Sequence, residues 1–118
     1  MIEVTKPTMI NYRRHVLVCV GAKCTQHGEG QALYEMLKKK LLTAGLNGGE
    51  LRVQCSRVNC LGTCKSGPLL CVQPDGVWYY AIDNAKLDRI IKEHFQEGKP
   101  VAEWIYHQGP ELIADNPK

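Results

Sequence analysis

The chain contains no Cys-x-x-Cys pair. Dithiol–disulfide exchange uses that spacing at a helix N-terminus, where the dipole lowers a thiol pKa, so this chemistry is not expected. No apolar run approaches the roughly 20 residues that a membrane-spanning helix requires. The opening residues, Met1-Ile2-Glu3-Val4-Thr5-Lys6-Pro7, lack the apolar stretch of a secretory signal, and a reducing cytosol is the expected compartment. In such a compartment patterned cysteines bind metal or act in catalysis more often than they pair as disulfides. Low-complexity tracts are missing, and so is any basic stripe interleaved with aromatics, which argues against a nucleic-acid partner. The longest basic run, Lys38-Lys39-Lys40, suits the solvated face and last turn of a helix.

What the chain does have is six cysteines in 118 residues, enough length for one domain with one core. Four of them form two pairs, Cys19 with Cys24 and Cys60 with Cys64, spaced C-x4-C-x35-C-x3-C. Both pairs sit in glycine-bearing turns after apolar runs. Strand ends can bring two such turns together, so a single four-thiolate site is the natural reading. It would hold an iron–sulfur cluster or zinc. Structural zinc favours C-x2-C knuckles, which makes the x4 and x3 spacings unusual for it.

Along the chain, residues 1–13 carry Pro7 and no periodicity and read as an N-terminal extension. His15 to Val20 is apolar and rich in β-branched residues, as a central strand is, and Gly21 ends it. From Gly28 to Ala44 the residues Leu33, Met36, Leu37, Leu41 and Ala44 recur at three- and four-residue steps, forming one helical stripe that Gly45 caps. Leu51 to Cys55 reads as a second strand, and Ser56 to Pro68 as a loop holding the second cysteine pair. Leu69 to Val72 and Val77 to Ala81 form a hairpin, with Gln73-Pro74-Asp75-Gly76 as a type I turn. Asp83 or Asn84 caps a second helix with Leu87, Ile90, Ile91 and Phe95 inward, and Gly98 and Pro100 stop it. Residues 101–118, with several breakers, read as an extended C-terminal arm. The order β-α-β, cysteine loop, β-β-α is that of an α/β, thioredoxin-like domain over residues 14–100, a central mixed four-stranded sheet flanked by helices.

A rhombic two-iron core takes two soft, anionic sulfur donors per iron, and two pairs from two loops suit it: Cys19 and Cys24 on one iron, Cys60 and Cys64 on the other. Gly21, Gly62 and Gly67 would permit tight turns whose N–H groups face the sulfurs and raise the potential. The stretch Val58-Asn59-Cys60-Leu61-Gly62-Thr63-Cys64-Lys65-Ser66-Gly67-Pro68 and the following Pro74-Asp75-Gly76-Val77-Trp78-Tyr79 resemble the thioredoxin-like [2Fe-2S] ferredoxins. So do Cys24-Thr25-Gln26-His27-Gly28 and Glu97-Gly98-Lys99-Pro100-Val101, and the likeness runs from about residue 14 to 109. It extends to the small [2Fe-2S] subunit of respiratory complex I, whose first loop has a similar length. The resemblance implies a low-potential one-electron carrier, often a homodimer, with Cys19, Cys24, Cys60 and Cys64 as ligands to a [2Fe-2S] cluster. It implies transient redox-protein partners, with an electron-transfer subunit of a larger oxidoreductase, or a structural zinc module, as alternatives.

Cys71, inside an apolar strand, is expected to pack as a small hydrophobe, and Cys55 to pack in the core or at an edge. His27 lies near Cys24 without the second histidine that Rieske-type ligation needs, and His15, His94 and His107 have no ligand-like spacing. Trp78, Tyr79 and Tyr80 are read as core or dimer contacts. Pro68 stands where thioredoxin-like folds keep a cis proline. Lys23, Arg57 and Lys65 would moderate the cluster's negative charge or offer a basic rim to an acidic partner. With the formal charge of +3, an oxidised cluster site carrying two negative charges would leave +1 overall.

Overall fold

The computed structural model describes residues 3–21, 28–59, 61 and 67–109. Strand β1 (Arg14–Cys19) is followed by helix α1 (Glu29–Thr43), strand β2 (Val53–Val58), the hairpin β3 (Leu70–Gln73) and β4 (Val77–Tyr79), and helix α2 (Asn84–Arg89). Helix α2 continues as a π-helical segment, Ile90–Gln96, before a 3-10 turn at Ala102–Trp104 and strand β5 (Ile105–Gln108). The strands make one sheet in the order β2-β1-β3-β4-β5. β1 and β2 run parallel, and the remaining neighbours are antiparallel.

Five strands stand where four are expected from the sequence, because Ile105–Gln108, read as part of an extended arm, pairs with β4 as a strand. The short length of β5 and its half-buried, polar-ended face hide it from hydrophobic patterning. Strand β2 also ends later than expected. Ser56, Arg57 and Val58 look like loop by composition, yet they extend the ladder against Leu17, Val18 and Cys19. An edge strand tolerates polar residues because one flank faces solvent.

Alternation along the strands sorts the sheet into two faces. Val16 and Val18 of β1, Leu70 and Val72 of β3, and Val77 and Tyr79 of β4 share one core with Leu33, Leu37 and Leu41 of α1 and Leu87, Ile90, Ile91 and Phe95 from the second helix. Both helices therefore cover the same face. The opposite face carries Leu17, Cys19, Leu69, Cys71 and Trp78. None of the helices among the described residues is long and apolar enough to cross a membrane.

The ends of the helices follow the chemistry of their caps. Gly45 adopts φ 74° just beyond α1, its N–H bonds to Leu42 O, and Leu46 N–H bonds to Leu41 O. This pair of bonds is the Schellman arrangement, with Leu46 and Leu41 both in the core. Asp83 caps α2, its Oδ1 accepting from Lys86 N–H at 2.9 Å.

The Gly67–Pro68 bond is cis, as its position before β3 suggests, and Gln73–Pro74 is cis as well. The hairpin turn is not type I. Gly76 N–H bonds to Val72 O at 2.9 Å, one residue further back than that turn uses, and Gly76 takes φ 68°. The wider wrap packs Gly76 against the Gly109 backbone and carries the Asp75 carboxylate to Arg14 and His94.

Candidate metal centre

Cys19 is the last residue of β1, and its pleat position puts it on the face away from the helices. It is fully buried, and its sulfur forms no disulfide among the described residues. Its N–H bonds to Leu69 O at 3.1 Å, and Val20 N–H bonds to Val58 O at 2.8 Å, so the strand end is held on both sides. Cys19 pairs directly with Val58, the last residue of β2. The two cysteine-bearing segments therefore leave the sheet side by side: Cys24 follows Cys19 by five residues, and Cys60 follows Val58 by two. Cys24, Cys60 and Cys64 lie outside the described residues, as do His27, Lys23, Lys65 and Gly62.

Gly21 was expected to supply an unusual turn and an N–H toward sulfur. The structure shows a steric role at this position. Its φ lies outside the left-handed region, while a Cβ built on it would sit 2.0 Å from Asn59 O and 3.9 Å from Cys19 Sγ. The first cysteine segment thus rests directly on the backbone that precedes Cys60. The Asn59 carbonyl oxygen lies 3.9 Å from Cys19 Sγ and can accept a weak hydrogen bond from the thiol.

A buried soft donor at the meeting of two chain segments, with no room for another side chain between them, fits a thiolate-bound cluster. Zinc is equally satisfied by sulfur donors, so the donor set alone leaves both open.

The other two described cysteines are placed for packing. Cys55 pairs with Val16, so its side chain is on the helix face, opposite Cys19, and it packs against the core. Burial pushes its thiol up to about 12, against an opposing pull from Lys38. Cys71 is buried on β3, accepts from Gln73 Nε2 at 3.2 Å, and its thiol is raised chiefly by burial. Neutral thiols of this kind are poor ligands and poor nucleophiles. Arg57 donates to Gln31 Oε1 of helix α1 and lies over the Tyr34 ring.

His94, without ligand-like spacing in the sequence, proves to be fully buried and fully engaged. Val101 N–H donates to Tyr79 Oη at 3.0 Å, and Tyr79 Oη lies 2.8 Å from His94 Nδ1. His94 Nε2 lies 2.6 Å from Asp75 Oδ2, which also accepts from Arg14 Nε at 2.8 Å. One assignment satisfies every atom: Tyr79 donates its hydroxyl proton to Nδ1, and the imidazole carries its own proton on Nε2, facing Asp75. Burial lowers the His94 pKa below 6.5, outweighing the upward pull of Asp75. Burial would raise Asp75, but hydrogen bonds from Arg14 and His94, with the Arg14 charge, bring it below 3.8. Burial pushes Tyr79 up to about 12. The sequence signal that could have found this group is a histidine at the inward 87/90/91/94/95 spacing of the second helix.

The family model for thioredoxin-like [2Fe-2S] ferredoxin matches residues 8–94. A ferredoxin described as 2Fe-2S from Aquifex aeolicus is 27% identical over 104 residues, covering 81% of this chain and 91% of its own length. A putative 2Fe-2S ferredoxin from Priestia megaterium is 31% identical over 106 residues, covering 90% of this chain and 80% of its own. The crystal structure of the wild-type thioredoxin-like [2Fe-2S] ferredoxin of Aquifex aeolicus superposes with a TM-score of 0.72 at 26% identity, over 83% of this chain and all of that one. The chain belongs to the thioredoxin-like [2Fe-2S] ferredoxins, a family named for the iron–sulfur cluster its members carry.

Proposed function

We propose that this protein holds one [2Fe-2S] cluster on Cys19, Cys24, Cys60 and Cys64 and carries single electrons between redox proteins. The observation that carries the reading is the Cys19–Val58 pairing, which starts both cysteine segments from adjacent strand ends. When bound, the cluster supplies a reversible one-electron couple, for which about −300 mV is expected. The protein's part is to present four thiolates, to keep Cys19 out of water, and to bring the two pairs close. No substrate is transformed, so the protein is a carrier and not an enzyme. Its donor and acceptor are redox proteins that dock transiently, over less than about 1,200 Å² of total interface. A homodimer in a reducing cytosol completes the reading.

Anaerobic purification tests it. The expected product is a coloured protein with two irons and two acid-labile sulfides per chain. Changing any of the four cysteines to serine should remove or alter the visible spectrum. A colourless protein containing zinc would overturn the proposal.

A further inference from the structure

We infer that Gly21 is a positioning residue that sets the distance between the two cysteine segments, through space and not through backbone conformation. The inference rests on the cluster reading above. Among the described glycines with open surroundings, three of four take a left-handed φ: Gly28 at 79°, Gly45 at 74° and Gly49 at 79° have nothing within 4 Å of a built Cβ. Gly21 is the reverse case. Its backbone lies outside the left-handed region, so sterics with its own chain do not require glycine. The requirement comes from Asn59, whose carbonyl oxygen and carbon would be 2.0 and 3.2 Å from a Cβ. Asn59 is the residue immediately before Cys60, and the same Cβ would be 3.9 Å from Cys19 Sγ.

A methyl group at position 21 therefore has to separate the segments by about 1 Å or more to reach ordinary contact. Neither side yields cheaply. Val20 N–H is bonded to Val58 O and Cys19 N–H to Leu69 O, so the displacement cannot spread back into the sheet without breaking the ladder. It falls on the segments that carry the thiolates. A two-iron core has fixed dimensions, so a wider spacing reduces its retention and alters the electronic environment of its sulfurs.

The test compares Gly21→Ala with Gly48→Ala, at a glycine with open space and no left-handed φ. Gly21→Ala is expected to lose its cluster to a strong chelator about 10- to 100-fold faster than wild type, in proportion to the affinity lost when groups around a metal site are disturbed. Its visible spectrum and reduction potential should shift, while apo far-UV circular dichroism and Tm stay close to wild type. Gly48→Ala should leave all four readouts unchanged. Equal release rate, spectrum and potential in Gly21→Ala would overturn the inference while leaving the cluster reading standing. Unfolding of the apo variant would overturn it too, since a local spacer at the sheet's end must leave the core intact. A wild type that binds no iron and sulfide would instead sink the cluster reading.

Discussion

At its Arg14 end strand β1 is tied down by side chains, whereas at its Cys19 end it runs into backbone lying on backbone. The first end is closed by a chain of donors and acceptors: Val101 N–H to Tyr79, Tyr79 to His94, His94 to Asp75, and Arg14 to Asp75. That chain joins β1, the β3–β4 turn, β4, the π-helical segment and Val101. Both ring nitrogens of the buried histidine, the tyrosine hydroxyl and Arg14 Nε find partners inside the protein, which is what makes burying a histidine beside an arginine–carboxylate pair tolerable. The second end has a buried thiol, a carbonyl, and a glycine with no room for a methyl. One end of the strand is a structural lock, and the other carries the first of the proposed cluster ligands. The difference separates stability from function along only six residues.

If that separation holds, changes at the lock should cost stability and spare the cluster. Asp75→Asn is expected to have the largest effect, because Arg14 loses its anionic partner and the contact to His94 Nε2–H weakens. Asp75 keeps 22% side-chain exposure, which puts the loss at about 2–3 kcal/mol, under the range for fully buried pairs. Urea unfolding of the apo protein measures it, and the visible spectrum of the loaded variant should be that of wild type. A variant of normal stability with a bleached spectrum would break the comparison.

The lock should also make stability depend on pH. Because the His94 pKa is lowered in the fold, the unfolded chain binds its proton first as pH falls below 6.5. Stability is then fully present above 6.5 and declines as pH falls through the folded value, since the protonated ring could no longer accept from Tyr79. Asp75, also lowered, adds a second decline with the same sign, beginning near 3.8 and ending below its folded value. Apo unfolding followed between pH 7.5 and roughly 5 should show the first decline, and His94→Gln should flatten it. A flat wild-type profile over that interval would contradict the neutral, donor-facing imidazole.

The smallest effect sharpens the other side of the comparison. Cys55→Ser should keep the cluster with unchanged spectrum and iron content, at a stability cost under about 1.5 kcal/mol. Its side chain packs on the helix face of the sheet, opposite Cys19, and its thiol is held neutral. Loss of the cluster in this variant would mean that Cys55 serves as a ligand.

Much of this architecture is legible in the chain because local rules and burial agree. The apolar stripe of α1, the Gly45 cap, the Asp83 cap and the inward face of the second helix all emerge from residue spacing alone. Strand β5 and the end of β2 do not, since an edge strand is defined by its neighbour and not by its own hydrophobicity. His94 shows the same limit. Its position on the inward face is visible, but its partners come from a turn 19 residues away and from a tyrosine 15 residues away. Gly21 is instructive in the opposite sense, because glycine there suggests a special turn, and the actual reason is a carbonyl 38 residues along the chain.

The sequence by itself determined the two helices and the first four strands, their order, and a cysteine spacing that points to a thiolate-bound metal site. Each of those depends on neighbours within a few residues, where periodicity and capping act. The tertiary structure alone decided which strand ends meet, which face each cysteine occupies, and how close two backbones pass. Those are set by parallel pairing of β1 with β2, a contact between segments too distant in the chain for any local pattern to record.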